Sequence, residues 1–185
     1  MTLKLYGGAR TRASIVRWYL EEKSIPYEFI LLDMQAGEQR KPDFLAINPI
    51  GKVPAIVDGE IICWESGAIL LYLVEKYAPT PLDFATRTTL AQWVMFANAT
   101  LSVGLFVESN REREGDRLLT SLNQVLAQSP YLVGDELTVA DIAVGSYLAY
   151  ATMMVQVTYE KYEAIAAYVE ALTQRPAYKT AILGM

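Results

Sequence analysis

Asn48-Pro49-Ile50-Gly51-Lys52-Val53-Pro54-Ala55-Ile56 is the stretch whose reading decides the fold, together with Asp58-Gly59 and Glu65-Ser66-Gly67 downstream of it. Turn residues run here into a short β-branched strand interrupted by a proline. A proline has no N–H to give a ladder, so within a strand it takes an edge, a start or a bulge. Pro54 therefore marks an open strand edge. Asp58-Gly59 is a type I′ hairpin signal, and it returns the chain through Glu60–Cys63. An acidic residue and a serine then open a helix over residues 66–77, with Ile69, Leu70, Leu73 and Tyr77 at helical spacing.

Upstream, Leu3-Lys4-Leu5-Tyr6 alternates as a strand and Gly7-Gly8 ends it. From about Arg12 to Lys23 the spacing turns helical, with Ala13, Val16 and Leu20 on one face. Pro26 stops that helix. Tyr27–Leu32 is an apolar, β-rich run that predicts a largely buried strand. Strand, helix and strand within about 30 residues make a parallel crossover the default. Asp33–Phe44 is polar and predicts a loop with a short helical turn.

Downstream, Ala78-Pro79-Thr80-Pro81 is a stiff break in composition. The rest has helical spacing: a long helix over 83–110, a second over 112–128, and a last one over 159–174 before Arg175-Pro176 and a short helical tail. Between them, Leu137-Thr138-Val139-Ala140-Asp141-Ile142 is a capping box with staple residues on both sides. Two uncharged runs, Thr88–Val107 and Ile142–Tyr159, approach the length of a membrane span. Both carry polar residues and an interior glycine, so they predict buried helices of an all-α domain.

The chain has 185 residues, 52% of them hydrophobic, with a net charge of -5, 1 Cys and no His. That balance predicts a core-rich globular protein. With no basic cluster, it speaks against nucleic acid. The missing histidine removes His-based metal sites, Ser/His/Asp triads and Cys/His dyads. One cysteine allows no intramolecular disulfide and no thiolate metal cluster. We expect no metal, no membrane span and, from the start Met1-Thr2-Leu3-Lys4, a cytoplasmic protein.

The chemistry open to the central stretch is peptide binding. The backbone of Val53, beside Pro54, offers an N–H and a C=O to an extended peptide, as an added strand does. Ser66 and the first amides of its helix suit a carboxylate, and Glu65 beside them suits an ammonium. Lys52, with Arg40 or Gln39, suits a second carboxylate. The implied ligand has an amino-acid head, a central amide unit and a carboxylate tail, which is the shape of glutathione.

At this point residues 1–77 resemble the thioredoxin-like domain of cytosolic glutathione transferases. The resemblance is carried by Tyr6 with its glycine turn, Val16–Glu22, Gly37–Arg40, Phe44–Ala55 and Glu65–Ile69. The second half resembles the family's helical domain at Gly134–Ile142 and Arg175–Tyr178. Within the family the chain is most similar to the small cyanobacterial chi class. The resemblance implies a thioredoxin-like α/β domain at 1–77, a linker at 78–86 and an all-α domain at 87–185. It also implies a homodimer and conjugation of the glutathione thiolate to small apolar electrophiles such as isothiocyanates or aryl halides, with possible peroxidase side activity. Glutathione enters as a substrate and no metal takes part.

Most members of that family place a Tyr, Ser or Cys donor near the sulfur, just after the first strand. This chain has Gly7-Gly8-Ala9-Arg10-Thr11-Arg12-Ala13-Ser14 instead. Arg10 aligns with the family's serine position and is the first candidate for stabilising the thiolate, followed by Thr11, Tyr6 and Ser14. Asn98, Phe106, Tyr150 and Met154 are candidates for the second-substrate pocket, expected in the cleft between the domains. A non-catalytic binding module of the same fold is the alternative, and a membrane-inserting protein is a third.

Overall fold

Leu3-Lys4-Leu5-Tyr6 alternates because one face must be buried. In the computed structural model, which describes residues 2–184, it forms β1 (Leu3–Gly7) with Leu3 and Leu5 in the core. Nothing larger than glycine fits at the end of this strand. A Cβ on Gly7 would stand 2.4 Å from the Ala13 Cβ, and one on Gly8 would stand 2.4 Å from Met34 Cγ. Helix α1 (Ala13–Glu22) packs Ile15, Val16, Trp18, Tyr19 and Leu20 inward. Strand β2 (Tyr27–Leu31) then pairs parallel to β1, Leu3 opposite Tyr27, as the crossover spacing predicts.

After the short helix α2 (Pro42–Leu45), β3 (Ala55–Asp58) and β4 (Ile61–Trp64) complete a four-stranded sheet of order β2-β1-β3-β4. Three expectations change here. Strand β2 lies at an edge and is only half-buried, with Leu31 63% exposed. Strand β3 is an inner strand, so Pro54 lies at no sheet edge; it stands at a strand start, immediately before Ala55. The hairpin is not type I′. Asp58 pairs with Ile61, so Gly59 and Glu60 form the turn, and only Gly59 has positive φ (64°). Type I′ needs positive φ at both central positions, whereas glycine at the first alone is the type II′ pattern. Asp58 is thereby the last strand residue. It is buried and accepts hydrogen bonds from Tyr72 at 2.9 Å and from Lys76, both on α3 (Ser66–Tyr77).

In the helical part, α4 (Phe84–Met95) starts on Asp83, whose carboxylate accepts the Thr86 amide at 2.8 Å. It continues through a π-helical segment, Phe96–Leu101, into α5 (Ser102–Phe106). The helix expected to reach residue 110 stops at Phe106, because Val107 is extended (φ -89°, ψ 113°). Arg111 then donates to the Leu105 carbonyl at 2.7 Å, which satisfies one orphan acceptor of the helix end. The chain resumes as α6 (Glu108–Asn110), a π-helical segment Arg111–Gly115, and α7 (Asp116–Leu126). A Cβ on Gly104 would stand 2.4 Å from Cδ1 of Leu118, a side chain of α7. Of the two uncharged runs, the second is buried along most of α8 (Val139–Val155). The first is buried on one face only, with Met95 and Val103 exposed.

The capping box at α8 forms as the sequence predicts. Asp141 accepts from Thr138 N and Leu132 N at 2.9 Å, and from Tyr168 OH on α9 (Glu163–Thr173) at 2.8 Å. With the Thr138 hydroxyl, which donates at 3.0 Å, four donors keep a fully buried carboxylate satisfied.

The chain divides into two compact units. One holds the chain up to Tyr77 and the stretch from Pro176 onward; the other is Ala78–Arg175. This differs from the expected boundaries at both ends of the helical domain. Helix α4 begins inside the expected linker. The tail, α10 (Pro176–Tyr178) and the π-helical segment Lys179–Leu183, packs on α1. Tyr178 stands edge-on to Trp18, ring centroids 5.0 Å apart, and both are buried.

Candidate functional site

The first unit carries a groove of about 820 Å³ lined by the β1–α1 turn, the loop from Gln39 to Pro54, and the start of α3. All seven residues expected to hold glutathione line it: Gln39, Arg40, Lys52, Val53, Pro54, Glu65 and Ser66.

Each is positioned by a local device. The Asn48 side chain is buried and staples its own loop, donating to the Lys52 carbonyl at 2.6 Å and accepting the Ile50 amide at 3.0 Å. Gly51 sits at φ 66°, where a Cβ would press 3.0 Å from the Gln39 carbonyl. The peptide bond before Pro54 is cis, and the ladder begins at Ala55. Among the described residues neither the amide nor the carbonyl of Val53 has a backbone partner, so both remain available to a peptide. Glu65 holds a left-handed backbone (φ 71°), which a non-glycine residue adopts at a cost of about 1–2 kcal/mol. Its carbonyl accepts the Ile69 amide and opens α3. Ser66 is 2% exposed, at the first position of that helix. Gln39 is nearly buried, and its Oε1 has no partner among the described residues.

The charges suit the expected ligand. Arg12, Arg40 and Lys52 bring three positive charges to the lining, and Glu65 brings one negative charge. Glutathione carries two carboxylates, one ammonium and, after ionisation, a thiolate.

The four candidates for the sulfur separate. Thr11 lines the groove, but Arg10, Tyr6 and Ser14 do not. Arg10 is exposed at a left-handed position (φ 54°). Tyr6 is on the sheet face away from α1, beside Phe44, in a smaller recess with Leu32, Glu38, Lys41 and Asp43. Alternation along β1 puts it there: Leu3, Leu5 and Gly7 face α1, so Tyr6 cannot. Ser14 donates to the Thr11 carbonyl at 2.8 Å. Thr11 donates its one proton to the Gly8 carbonyl at 2.9 Å, and its oxygen accepts from the Gly8 and Ala13 amides at 3.3 Å each.

Sequence reasoning missed Arg12 and Met34 in the lining, and the stapling role of Asn48. The Asn-Pro-x-Gly turn was a usable signal for Asn48. Arg12 had none, since three consecutive turn residues of similar chemistry are separable only by their backbone angles.

In the second unit, Asn98 donates to the Val94 carbonyl at 2.9 Å and accepts from Tyr147 OH at 2.9 Å. Phe106 meets the same Tyr147 with ring centroids 6.2 Å apart. Tyr147, Tyr150 and Met154 are spaced along one face of α8, and Met154 is 68% exposed. The four second-substrate candidates thus gather along that face. Cys63 is half-buried on β4, where burial pushes its thiol up, against a reactive role. No group of His, Cys, Asp or Glu among the described residues is arranged to hold a metal.

Comparison with known proteins agrees with the geometry. Residues 1–75 match the family described as "Glutathione S-transferase, N-terminal domain", and residues 107–176 match "Glutathione S-transferase, C-terminal domain". Glutathione S-transferase GstB of Escherichia coli is 34% identical over 89% of each chain. The solved structure of a possible glutathione S-transferase from Rhodopseudomonas palustris is 30% identical, covers 98% of both chains and superposes with a TM-score of 0.83. The glutathione transferase URE2P8 from Phanerochaete chrysosporium, solved with oxidized glutathione, is 25% identical, with a TM-score of 0.83 over 97% of this chain and 93% of that one.

Proposed function

The chain belongs to the glutathione S-transferase family, and from that premise we propose that it conjugates the thiolate of glutathione to small apolar electrophiles such as isothiocyanates and aryl halides. The observation that carries the proposal is the groove of the first unit, where seven complementary residues converge around an unpaired Val53 backbone. The γ-glutamyl head, with its ammonium and carboxylate, goes to Glu65 and Ser66. The cysteinyl unit pairs with Val53. The glycyl carboxylate goes to Lys52, Arg40 and the Gln39 amide.

A free thiol of this kind has a pKa of about 8.5, so only a few per cent is thiolate at neutral pH. Binding beside a cation-rich wall shifts that balance. The sulfur lone pair then forms a C–S bond. With an aryl halide the halide departs with its electron pair. With an isothiocyanate the C=N pair moves to nitrogen, which takes a proton from water. Peroxidase side activity would consume two glutathiones per hydroperoxide, giving the disulfide, an alcohol and water.

The second-substrate pocket uses the α8 face that carries Tyr150 and Met154, with Asn98 and Phe106 behind it. We place the protein in the chi class on two features: a short helical part and a Gly7–Ser14 turn without the usual donor. A cytoplasmic homodimer is the assembly this reading expects, symmetric dimers being the commonest soluble oligomers.

One observation favours a second reading, a non-catalytic glutathione-binding module: the hydroxyl proton of Thr11 is already committed to the backbone. Turnover of aryl halides and isothiocyanates decides between them. Conjugation above the uncatalysed rate supports the enzyme. Retention on glutathione resin with no turnover across both substrate classes supports the module.

A further inference from the structure

We propose that the Arg12 guanidinium is the group that faces the glutathione sulfur and holds it as thiolate, while Thr11 serves the turn. This rests on the glutathione reading above and specifies the one part of the site that reading left open.

The lining of the groove divides by what each part can bind. Glu65 and Ser66 suit an amino-acid head. Gln39, Arg40 and Lys52 suit a carboxylate tail. Val53, which follows Lys52 and precedes Glu65 in the chain, suits the peptide backbone. A tripeptide held at these three places has one element left to accommodate, its central side chain. The rest of the wall is Thr11, Arg12 and Met34, with Leu45, Asn48, Ile50 and Gly51 of the loop before Pro54. Leu45, Ile50 and Gly51 bring no polar side chain, and the Asn48 amide is engaged with the Lys52 carbonyl, which leaves Thr11, Arg12 and Met34 as the side chains to weigh for the sulfur.

Two of them have no proton to offer. Met34 carries a thioether, which only accepts. Thr11 has a single O–H, given to the Gly8 carbonyl at 2.9 Å, while the Gly8 and Ala13 amides both point at its oxygen. Turning that hydroxyl to a thiolate would leave the Gly8 carbonyl without it. Arg12 differs in kind. A guanidinium has five N–H donors and a permanent charge, so engagement with one partner does not exhaust it. It also precedes the first residue of α1, where the positive end of the helix dipole acts in the same direction. Arg10, two residues earlier, is outside the lining.

The step balances without a protein base. The S–H proton passes to water, the sulfur keeps the electron pair, and the guanidinium stabilises the anion by charge and by N–H donation. Because the stabiliser is an exposed cation, salt weakens it by screening, unlike a neutral hydroxyl donor.

The test is an ultraviolet titration of the glutathione thiol bound to wild type, Arg12→Gln, Arg12→Lys and Arg10→Ala. Affinity for S-methylglutathione, which has no thiol to ionise, is measured beside it. Arg12 is exposed, so these changes leave the core intact. In Arg12→Gln the bound thiol pKa is expected to rise by about one to three units. The rate near neutral pH should fall about tenfold per unit, since each unit removes that much thiolate. Arg12→Lys should restore part of the shift. S-methylglutathione should bind within about fivefold of wild type, the ceiling for one exposed charge. An unmoved pKa in Arg12→Gln, or a shift that appears with Arg10→Ala instead, overturns the assignment while leaving the glutathione reading standing. Wild type that binds neither glutathione nor S-methylglutathione overturns both.

Discussion

Thr11 and Gly8 close on each other: the Thr11 hydroxyl donates to the Gly8 carbonyl at 2.9 Å, and the Gly8 amide donates back to the same oxygen at 3.3 Å. A third bond, from the Ala13 amide at 3.3 Å, ties this pair to the start of α1. One hydroxyl thus joins the end of β1 to the helix that follows it. Thr11→Ala should destabilise the protein by about 1–2 kcal/mol, as loss of a capping hydroxyl does. Thr11→Ser keeps the bonds and should stay within about 0.5 kcal/mol of wild type. Urea unfolding midpoints of the two variants check this. Equal losses in both would mean that the methyl group matters and the hydroxyl does not.

Acid stability should depend on Asp58. Burial alone would raise its pKa, but hydrogen bonds from Lys76 and Tyr72 outweigh burial and leave it lowered. A carboxyl lowered in the folded state stabilises the protein above its unfolded pKa of about 3.9. That contribution disappears as pH falls through the folded value. Asp58→Asn should cost about 1–3 kcal/mol at neutral pH, toward the lower end because Lys76 is partly solvated. The variant's stability should also vary less with pH below about 4. Parallel unfolding curves at neutral pH and in acid test both parts. A variant as pH-sensitive as wild type there would rule Asp58 out.

The tail from Pro176 onward should matter to the first unit. Tyr178 is buried edge-on against Trp18, and Tyr178→Ala should cost about 3–5 kcal/mol, typical of an aromatic deleted from a core. Thermal unfolding followed by tryptophan fluorescence reads this directly. A melting temperature within about 2 °C of wild type would show that the tail is dispensable.

Much of this was legible in the chain, and the exceptions have physical causes. The alternation of β1, the crossover, the capping box at Thr138 and the Glu65-Ser66 helix start are local patterns that tertiary structure left intact. Where partners lie far away in sequence, local pattern was insufficient. Strand β2 is as apolar as a central strand, yet the sheet order puts it at an edge. The helix expected to run to Asn110 ends at Phe106, where the Arg111 side chain caps the Leu105 carbonyl. Pro176 stops α9, but only Trp18, more than 150 residues earlier, explains where Tyr178 then goes. The groove-lining residues Gln39, Arg40, Lys52–Pro54, Glu65 and Ser66 were recoverable from motif spacing. Which of Arg10, Thr11 and Arg12 line the groove was not, because neighbours in one turn are separated only by its backbone conformation.

The most direct test of the central claim is titration calorimetry of glutathione into wild type, Ser66→Ala and Glu65→Gln. Ser66 is buried at the head of α3, and among the described residues Glu65 supplies the groove's one carboxylate. In the proposed binding mode each would make a charge-assisted contact with the γ-glutamyl head, worth about 1.5–3 kcal/mol. The account predicts one site per chain in wild type and affinity weakened by about tenfold or more in each variant. Wild type that gives no binding heat, or variants that bind as tightly as wild type, would contradict it.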